Sequence, residues 1–154
     1  MDPFTISLAG HVVGLCTKAS IALVSLINRS QKVDDELDNL RIEIDSLGRV
    51  IKSIETSLLN GALPPAMALF SPGASLHPHW KNFTDSLTDC QGSLTDLDNI
   101  LGCVEKCEGQ FLRLKKQVKL ELKSGQIKLL KERIRNSRRT MDVCVTLMTF
   151  IMSS

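Results

Sequence analysis

The stretch that decides the fold is residues 33–58, which read VDDELDNLRIEIDSLGRVIKSIETSL. Its large apolar side chains recur at alternating steps of four and three residues, and they are Val33, Leu37, Leu40, Ile44, Leu47, Ile51, Ile54 and Leu58. This 3.5-residue period places them along one side of an α-helix, while charged residues take the other sides. The stretch therefore predicts a long helix over residues 32–60 whose apolar seam packs against other helices.

The same spacing returns twice further along the chain. The second seam consists of Trp80, Phe83, Leu87, Cys90, Leu94, Leu97, Leu101 and Val104. The third consists of Ile127, Leu130, Ile134, Ser137, Met141, Cys144, Met148 and Ile151, with Ser137 as its one polar member. Three such seams predict an all-α fold, a four- to five-helix bundle with long heptad-patterned helices that cross at about 20°.

Prolines and glycines predict where the helices end. Four of the five prolines fall in residues 61–78, which we expect to form a loop across one end of the bundle. The predicted helices cover residues 4–29, 32–60, 79–107 and 125–152.

The region before the last helix is ambiguous. Residues 109–122 are either a short fifth helix or the frayed end of the third. Gly125 is expected to mark a break, with Ser124 as the cap of the last helix. The chain, residues 1–154, is expected to be one domain, and its apolar pattern stops with the sequence, as in a domain excised from a larger protein.

The first predicted helix differs in composition from the others. The 22 residues from Ile6 to Ile27 carry one formal charge, Lys18, and would span about 33 Å, close to the hydrocarbon thickness of a bilayer. Gly10 and Gly14 form a GxxxG step, which permits close helix approach in lipid. Two interpretations remain open: a buried core helix of a soluble bundle, or a conditional membrane segment that Lys18 keeps from spanning permanently.

The net charge of +2 conceals a strong asymmetry along the chain. Residues 1–30 carry +1, residues 31–100 carry −6 and residues 101–154 carry +7. Either oppositely charged helices pack side by side, or the basic segment contacts anionic phospholipid or nucleic acid. Nucleic acid is the least favoured of these, because no aromatic side chains interleave with the cations to stack on bases.

Residues that commonly carry chemistry are scattered. The five cysteines are odd in number and irregularly spaced, and no basic leader precedes them, so we expect free thiols in a reducing compartment. Cys103 and Cys107 share a helix face, and His77 and His79 share a loop, but no second ligand pair supports a zinc site. We find neither a glycine-rich phosphate loop nor a nucleophile beside a base. We therefore expect no enzyme activity, no metal and no cofactor.

Four segments, taken together and in order, carry a family resemblance. They are MDPFTISLAGHVVGLCTKAS at the start, VDDELDNLRIEIDSLGRVIKSIETSLL, CQGSLTDLDNIL, and KSGQIKLLKERIRNSRRTMDVCVTLM near the end. They resemble the HeLo-like domains at the N-termini of fungal STAND (NLR-type) receptors. That family is related in fold to the four-helix domain of the mixed lineage kinase domain-like pseudokinase. The resemblance implies a helical bundle that acts as a cell-death effector in fungal self/non-self or immune signalling.

The resemblance also implies where and how such a domain acts. It would be cytoplasmic at rest and act at the plasma membrane after an upstream NLR/STAND receptor or an amyloid-type signalling partner makes it form a homo-oligomer. The first helix would then bind or permeabilise the membrane. The alternative is a non-lytic adaptor or oligomerisation module of such a receptor.

Two sets of residues follow as candidates. The membrane-insertion set is Phe4, Ile6, Leu8, Gly10, Val12, Val13, Gly14, Leu15, Ile21, Leu23, Leu26 and Ile27. The set expected to contact anionic phospholipid is Lys115, Lys116, Lys119, Lys123, Lys128, Lys131, Arg135, Arg138 and Arg139.

Overall fold

The computed structural model describes the backbone of residues 3–29, 35–59, 77–105 and 112–153, and the side chains of residues 5–28, 35–56, 78–103 and 123–150. These residues form four helices, which are α1 (Pro3–Arg29), α2 (Asp35–Leu59), α3 (His77–Glu105) and α4 (Leu112–Ser153). The all-α prediction is confirmed for the part of the chain that is described.

The four helices stand at the corners of a square. α1 packs against α2 and α3, and α4 packs against the same two helices from the opposite corner. Within the described ranges, α1 and α4 therefore occupy one diagonal of the square, and α2 and α3 occupy the other. The segment that joins α2 to α3, residues 60–76, connects diagonal corners and lies outside the described residues.

Side-chain contacts give the directions of the helices. Ser20 of α1 bonds to Asp45 of α2. Gly10, earlier in α1, lies near Glu55, later in α2, so these two helices run antiparallel.

The order is reversed between α2 and α4. Glu36 of α2 pairs with Lys131 of α4. Glu43, further along α2, pairs with Arg138, further along α4, so these two helices run parallel.

The apolar seams form the core of the bundle. Every seam residue whose side chain is described is buried, on α2, α3 and α4 alike. Among the least exposed are Ile44, Phe83, Leu94 and Ile134. The seam positions Val33, Leu58, Val104 and Ile151 lie outside the described side chains.

The predicted start of the third helix is wrong by two residues. α3 begins at His77, so both His77 and His79 lie in its first turn and not in the proline loop. Pro78 is compatible with this position, because an N–H in the first turn has no intrahelical acceptor and the ring holds φ near the helical value.

The predicted break before the last helix is also wrong. α4 runs from Leu112 through Gly125 to Ser153, so residues 112–122 belong to it and Ser124 is an interior residue and not a cap. A glycine inside a helix costs only about 1 kcal/mol relative to alanine. The burial of Ile127 and Leu130 just after it outweighs that cost.

Replacing a seam residue should destabilise the bundle. Leu47 is fully buried, so Leu47→Ala should lower the free energy of unfolding by about 2–5 kcal/mol, measured by urea denaturation. Ile42 lies on the same helix but is 47% exposed, and Ile42→Ala should cost less than about 1 kcal/mol. Equal losses in the two variants would contradict the described packing of α2.

Candidate membrane-binding surface

α1 occupies a corner of the bundle, so it is not a central helix enclosed by the others. Its inner face is a fourth seam with alternating steps of four and three residues, made of Thr5, Ala9, Val12, Cys16, Ala19, Leu23 and Leu26, all buried. This seam is not evident in the sequence, because small residues such as Ala9, Cys16 and Ala19 occupy the positions that leucine and isoleucine occupy in the other helices.

The outer face of α1 is open although the helix is apolar. Ile21 is 66% exposed, and Val24 beside it is also exposed. Gly10 and Gly14 flatten the same side of the helix, and a Cβ built at Gly14 would meet nothing within 4 Å. α1 therefore presents apolar and small residues to the surroundings as well as to the core, beside exposed polar residues such as His11, Thr17 and Lys18.

The stretch Thr5–Asn28 is long and apolar enough to cross a membrane, by length and composition alone, with a mean hydropathy of 1.6. The core helix of a soluble protein passes the same test, but such a helix is mostly buried. Only 28% of the most apolar 18-residue window in this stretch is buried in the bundle. This helix therefore carries more apolar surface than the bundle buries.

The predicted membrane-insertion residues are distributed around α1. The buried ones are Leu8, Val12, Leu23 and Leu26; the half-buried ones are Ile6, Val13, Leu15 and Ile27; the exposed ones are Gly10, Gly14 and Ile21. The side chain of Phe4 lies outside the described residues. Lipid contact on all sides would therefore require α1 to separate from α2 and α3.

Polar contacts also join α1 to its neighbours. Ser20 Oγ donates a hydrogen bond to Asp45 Oδ1 of α2 at 2.7 Å. Lys18, which interrupts the apolar segment, pairs through Nζ with Asp98 Oδ2 of α3 at 3.2 Å. Because the Lys18–Asp98 pair is solvent-exposed, it contributes no more than about 1 kcal/mol.

Buried thiols line the inner side of α1. Burial raises the pKa of Cys16 on α1 and of Cys90 on α3 to about 12 each, with nearby Cys90 and Asp45 adding to the shift at Cys16. Cys144 is also buried, whereas Cys103 is exposed. Burial also raises the pKa of Cys144. The thiols of Cys16 and Cys90 are neutral at physiological pH and serve as packing groups. Within the described ranges, no group of three or more His, Cys, Asp or Glu side chains is arranged to hold a metal ion.

The α2–α4 interface engages three of the nine predicted lipid-binding cations. Lys131 Nζ lies 3.2 Å from Glu36 Oε2. Arg138 Nε lies 2.8 Å from Glu43 Oε1, and Arg135 Nε lies 3.4 Å from Glu43 Oε2. The Glu43 side chain is only 11% exposed, and the two arginines give each of its carboxylate oxygens a charged partner. Here the acidic middle and the basic end of the chain pack side by side.

The other predicted lipid-binding cations are differently placed. Lys128 and Arg139 are exposed, and Lys123 is half-buried. The side chains of Lys115, Lys116 and Lys119, in the first turns of α4, lie outside the described residues.

The exposed cations share one side of α4 with exposed apolar residues. From Lys128 the steps to Arg139, Val143, Leu147 and Phe150 are eleven, four, four and three residues, which keep these positions on one side of a helix. Phe150 is 71% exposed. We call these five residues the α4 outer face. Its apolar part was not predicted, although Val143, Leu147 and Phe150 follow an i, i+4, i+7 spacing that the sequence displays next to the buried seam.

In comparisons with known proteins, no protein-family model, curated protein or solved structure matches the chain. The HeLo-like resemblance therefore stays a prediction from the sequence.

Cysteine reactivity should report the placement of α1. With its pKa at about 12, only about one Cys16 thiol in ten thousand is ionised at pH 8, so iodoacetamide should modify exposed Cys103 and leave Cys16 and Cys90 protected. Peptide mass spectrometry measures each site separately, because trypsin cleaves after Lys106, between Cys103 and Cys107. Urea-unfolded protein, as the control, should be modified at all five cysteines. Modification of native Cys16 at the rate of Cys103 would contradict the buried inner face of α1.

Proposed function

We propose that this chain is a membrane-targeting effector domain of fungal cell-death signalling, in self/non-self recognition or immunity. The domain is cytoplasmic at rest and holds α1 in the bundle. An upstream NLR/STAND receptor or an amyloid-type partner brings copies together, and α1 is then released to bind or permeabilise the plasma membrane. The observation that carries the proposal is the mismatch in α1, which is long and apolar enough to cross a membrane although only 28% of its most apolar 18-residue window is buried.

The energetics of α1 favour a conditional transition over permanent insertion. Release exposes its buried inner face, including Leu23 and Leu26, and lipid contact on all sides offsets that loss. Lys18, near the middle of the stretch, costs about 2.5–3.5 kcal/mol at the centre of a bilayer. In the bundle the same side chain has the Asp98 carboxylate as its partner. These terms support a helix that stays folded until clustering adds the contacts that insertion needs.

The α4 outer face supports an anionic membrane as the target. Arg139 lies one turn from exposed Val143, and Leu147 and Phe150 continue the same side of α4. Lys128 adds positive charge nearer the start of the helix. A helix side that combines cations with large apolar side chains is typical of binding at the headgroup region of anionic bilayers.

A reversible bond between α1 and α2 tests whether α1 must separate. A Cβ built at Gly48 lies 3.4 Å from Cys16 Cβ, and disulfides hold these atoms about 3.5–4.5 Å apart. Gly48→Cys, oxidised to bond with Cys16, should therefore stop dye leakage from phosphatidylserine-containing vesicles. Dithiothreitol should restore leakage. The protein is clustered in both states by an inducible dimerisation tag.

Gly48→Ala is the matched control for this experiment. It adds the same Cβ and keeps every native thiol, so its leakage should be the same under oxidising and reducing conditions. Mass spectrometry confirms the new disulfide. Equal leakage from the oxidised and reduced forms of Gly48→Cys would show that α1 acts without leaving α2 and would overturn the mechanism.

The exposed cations should matter more than cations elsewhere on the bundle. Each basic residue at an anionic surface contributes about 1 kcal/mol, so combining Lys128→Gln with Arg139→Gln should weaken vesicle binding by about tenfold or more in a cosedimentation assay. Lys52→Gln with Lys81→Gln removes the same charge from exposed positions on α2 and α3 and serves as the control. Equal weakening in both double variants would argue against the α4 outer face as the docking surface.

The second candidate is a non-lytic adaptor or oligomerisation module. The specific observation in its favour is the exposure of Val143, Leu147 and Phe150 along one helix, a pattern that also occurs at protein–protein contacts. This function requires a stable assembly in solution without lipid, which light scattering measures. It also requires signalling that is the same with α1 locked or free.

A further inference from the structure

A polar groove of about 490 Å³ separates parts of α3 and α4, on the side of α4 away from its ion pairs with α2. α3 contributes Asp89, Gly92, Ser93 and Asp96, and α4 contributes Arg133 and Ser137, among other lining residues. The volume falls within the range of about 300–1,000 Å³ found for small-molecule sites.

The groove exists because the facing residues are small where the two helices pack. Ser137 is the one polar member of the third seam and takes the place of a large apolar residue. On α3, Gly92 has no side chain, and a Cβ built there would meet nothing within 4 Å. Ser137, the one polar residue of this seam, thus lies at an open space that is lined by polar groups.

Several polar groups of the groove lack partners within the described part of the chain, although the Ser137 hydroxyl hydrogen-bonds to the Cys90 thiol. Ser93 is only 5% exposed, and its hydroxyl makes no hydrogen bond to any described residue. Asp89, Asp96 and Arg133 likewise form no ion pair with a described side chain, although all three line one groove. On the α2 side of the same helix, by contrast, Lys131, Arg135 and Arg138 are all paired. The groove therefore combines the hydroxyl of the nearly buried Ser93 with three exposed charges of both signs, which offers several polar contacts to a ligand.

We propose that this groove binds a small zwitterion that carries an ammonium group and a phosphate or carboxylate group. The Asp89 carboxylate accepts hydrogen bonds from the ammonium group, Asp96 adds negative charge further along the groove, and the Arg133 guanidinium donates to the anionic group. The Ser93 hydroxyl bonds to the polar atoms between them. A ligand with only negative charge would be repelled by the two carboxylates, and one with only positive charge would be repelled by Arg133.

A titration of the full chain tests the charge requirement. O-phosphoethanolamine supplies both groups, while ethanolamine and inorganic phosphate supply one each. We expect saturable binding of O-phosphoethanolamine by calorimetry, at least about tenfold tighter than either single-charge compound. Arg133→Gln and Asp89→Asn should each weaken it by about tenfold or more. Arg139→Gln removes a cation from the α4 outer face and should leave it unchanged. Affinity for inorganic phosphate equal to that for O-phosphoethanolamine would overturn the proposal.

Filling the groove is an independent test that keeps every charge. Gly92→Leu should abolish binding of O-phosphoethanolamine, because its side chain occupies the open space. Gly102→Leu is the matched control on the same helix, since a Cβ there also meets nothing within 4 Å. Circular dichroism should show that both variants fold. Equal binding by the two variants would also overturn the proposal.

Vesicles distinguish the two sources of this ligand chemistry. If phosphatidylethanolamine vesicles displace O-phosphoethanolamine, the natural ligand is a lipid headgroup; if they do not, it is a free compound, and both results support the zwitterion site. The proposal does not rest on vesicle leakage, so the locked and unlocked forms of Gly48→Cys should bind O-phosphoethanolamine equally.

Discussion

The structure depends on apolar seams that meet along the axis of the bundle. Aromatic residues make up only 4% of the sequence, so leucine, isoleucine and other aliphatic side chains fill most of this space. The seams on α2, α3 and α4 use large residues, whereas Ala9, Cys16 and Ala19 occupy three of the seven positions on α1. Because burial stabilises in proportion to apolar area, α1 contributes less to the core per turn than its partners.

The polar contacts reinforce this difference between the helices. α2 and α4 are joined through the nearly buried carboxylate of Glu43, which receives Arg135 and Arg138. The ion pair of α1, between Lys18 and Asp98, is exposed to solvent. The charge asymmetry of the sequence thus stabilises one interface of the bundle, and α1 is not part of that interface.

Much of the fold could be predicted, because large apolar residues that repeat every 3.5 residues lie along one side of a helix, and such helices pack side by side. The inner face of α1 could not be predicted from the sequence. Its alanine and cysteine residues have the same spacing, but they cannot be distinguished from the other apolar residues of this segment. Gly125 and Pro78 led to wrong helix boundaries. The burial of apolar residues after Gly125 keeps α4 helical, and Pro78 fits the first turn of α3. The partners of Lys131 and Arg138 depend on the register of α2 against α4, which the sequence pattern of one helix does not contain. The sequence indicated the groove only indirectly, because Ser137 is the one polar residue in the apolar seam of the last helix.

The position of α1 at a corner also decides what its departure would leave behind. α4 would still contact both α2 and α3, so the remaining helices would form a continuous row with α4 in the middle. The sides of α2 and α3 that now face α1, including the surface around Gly48, would become a vacant apolar cleft. That cleft has the dimensions of a single helix. If α1 separated in clustered copies, as proposed, the cleft of one copy would therefore fit the α1 of its neighbour.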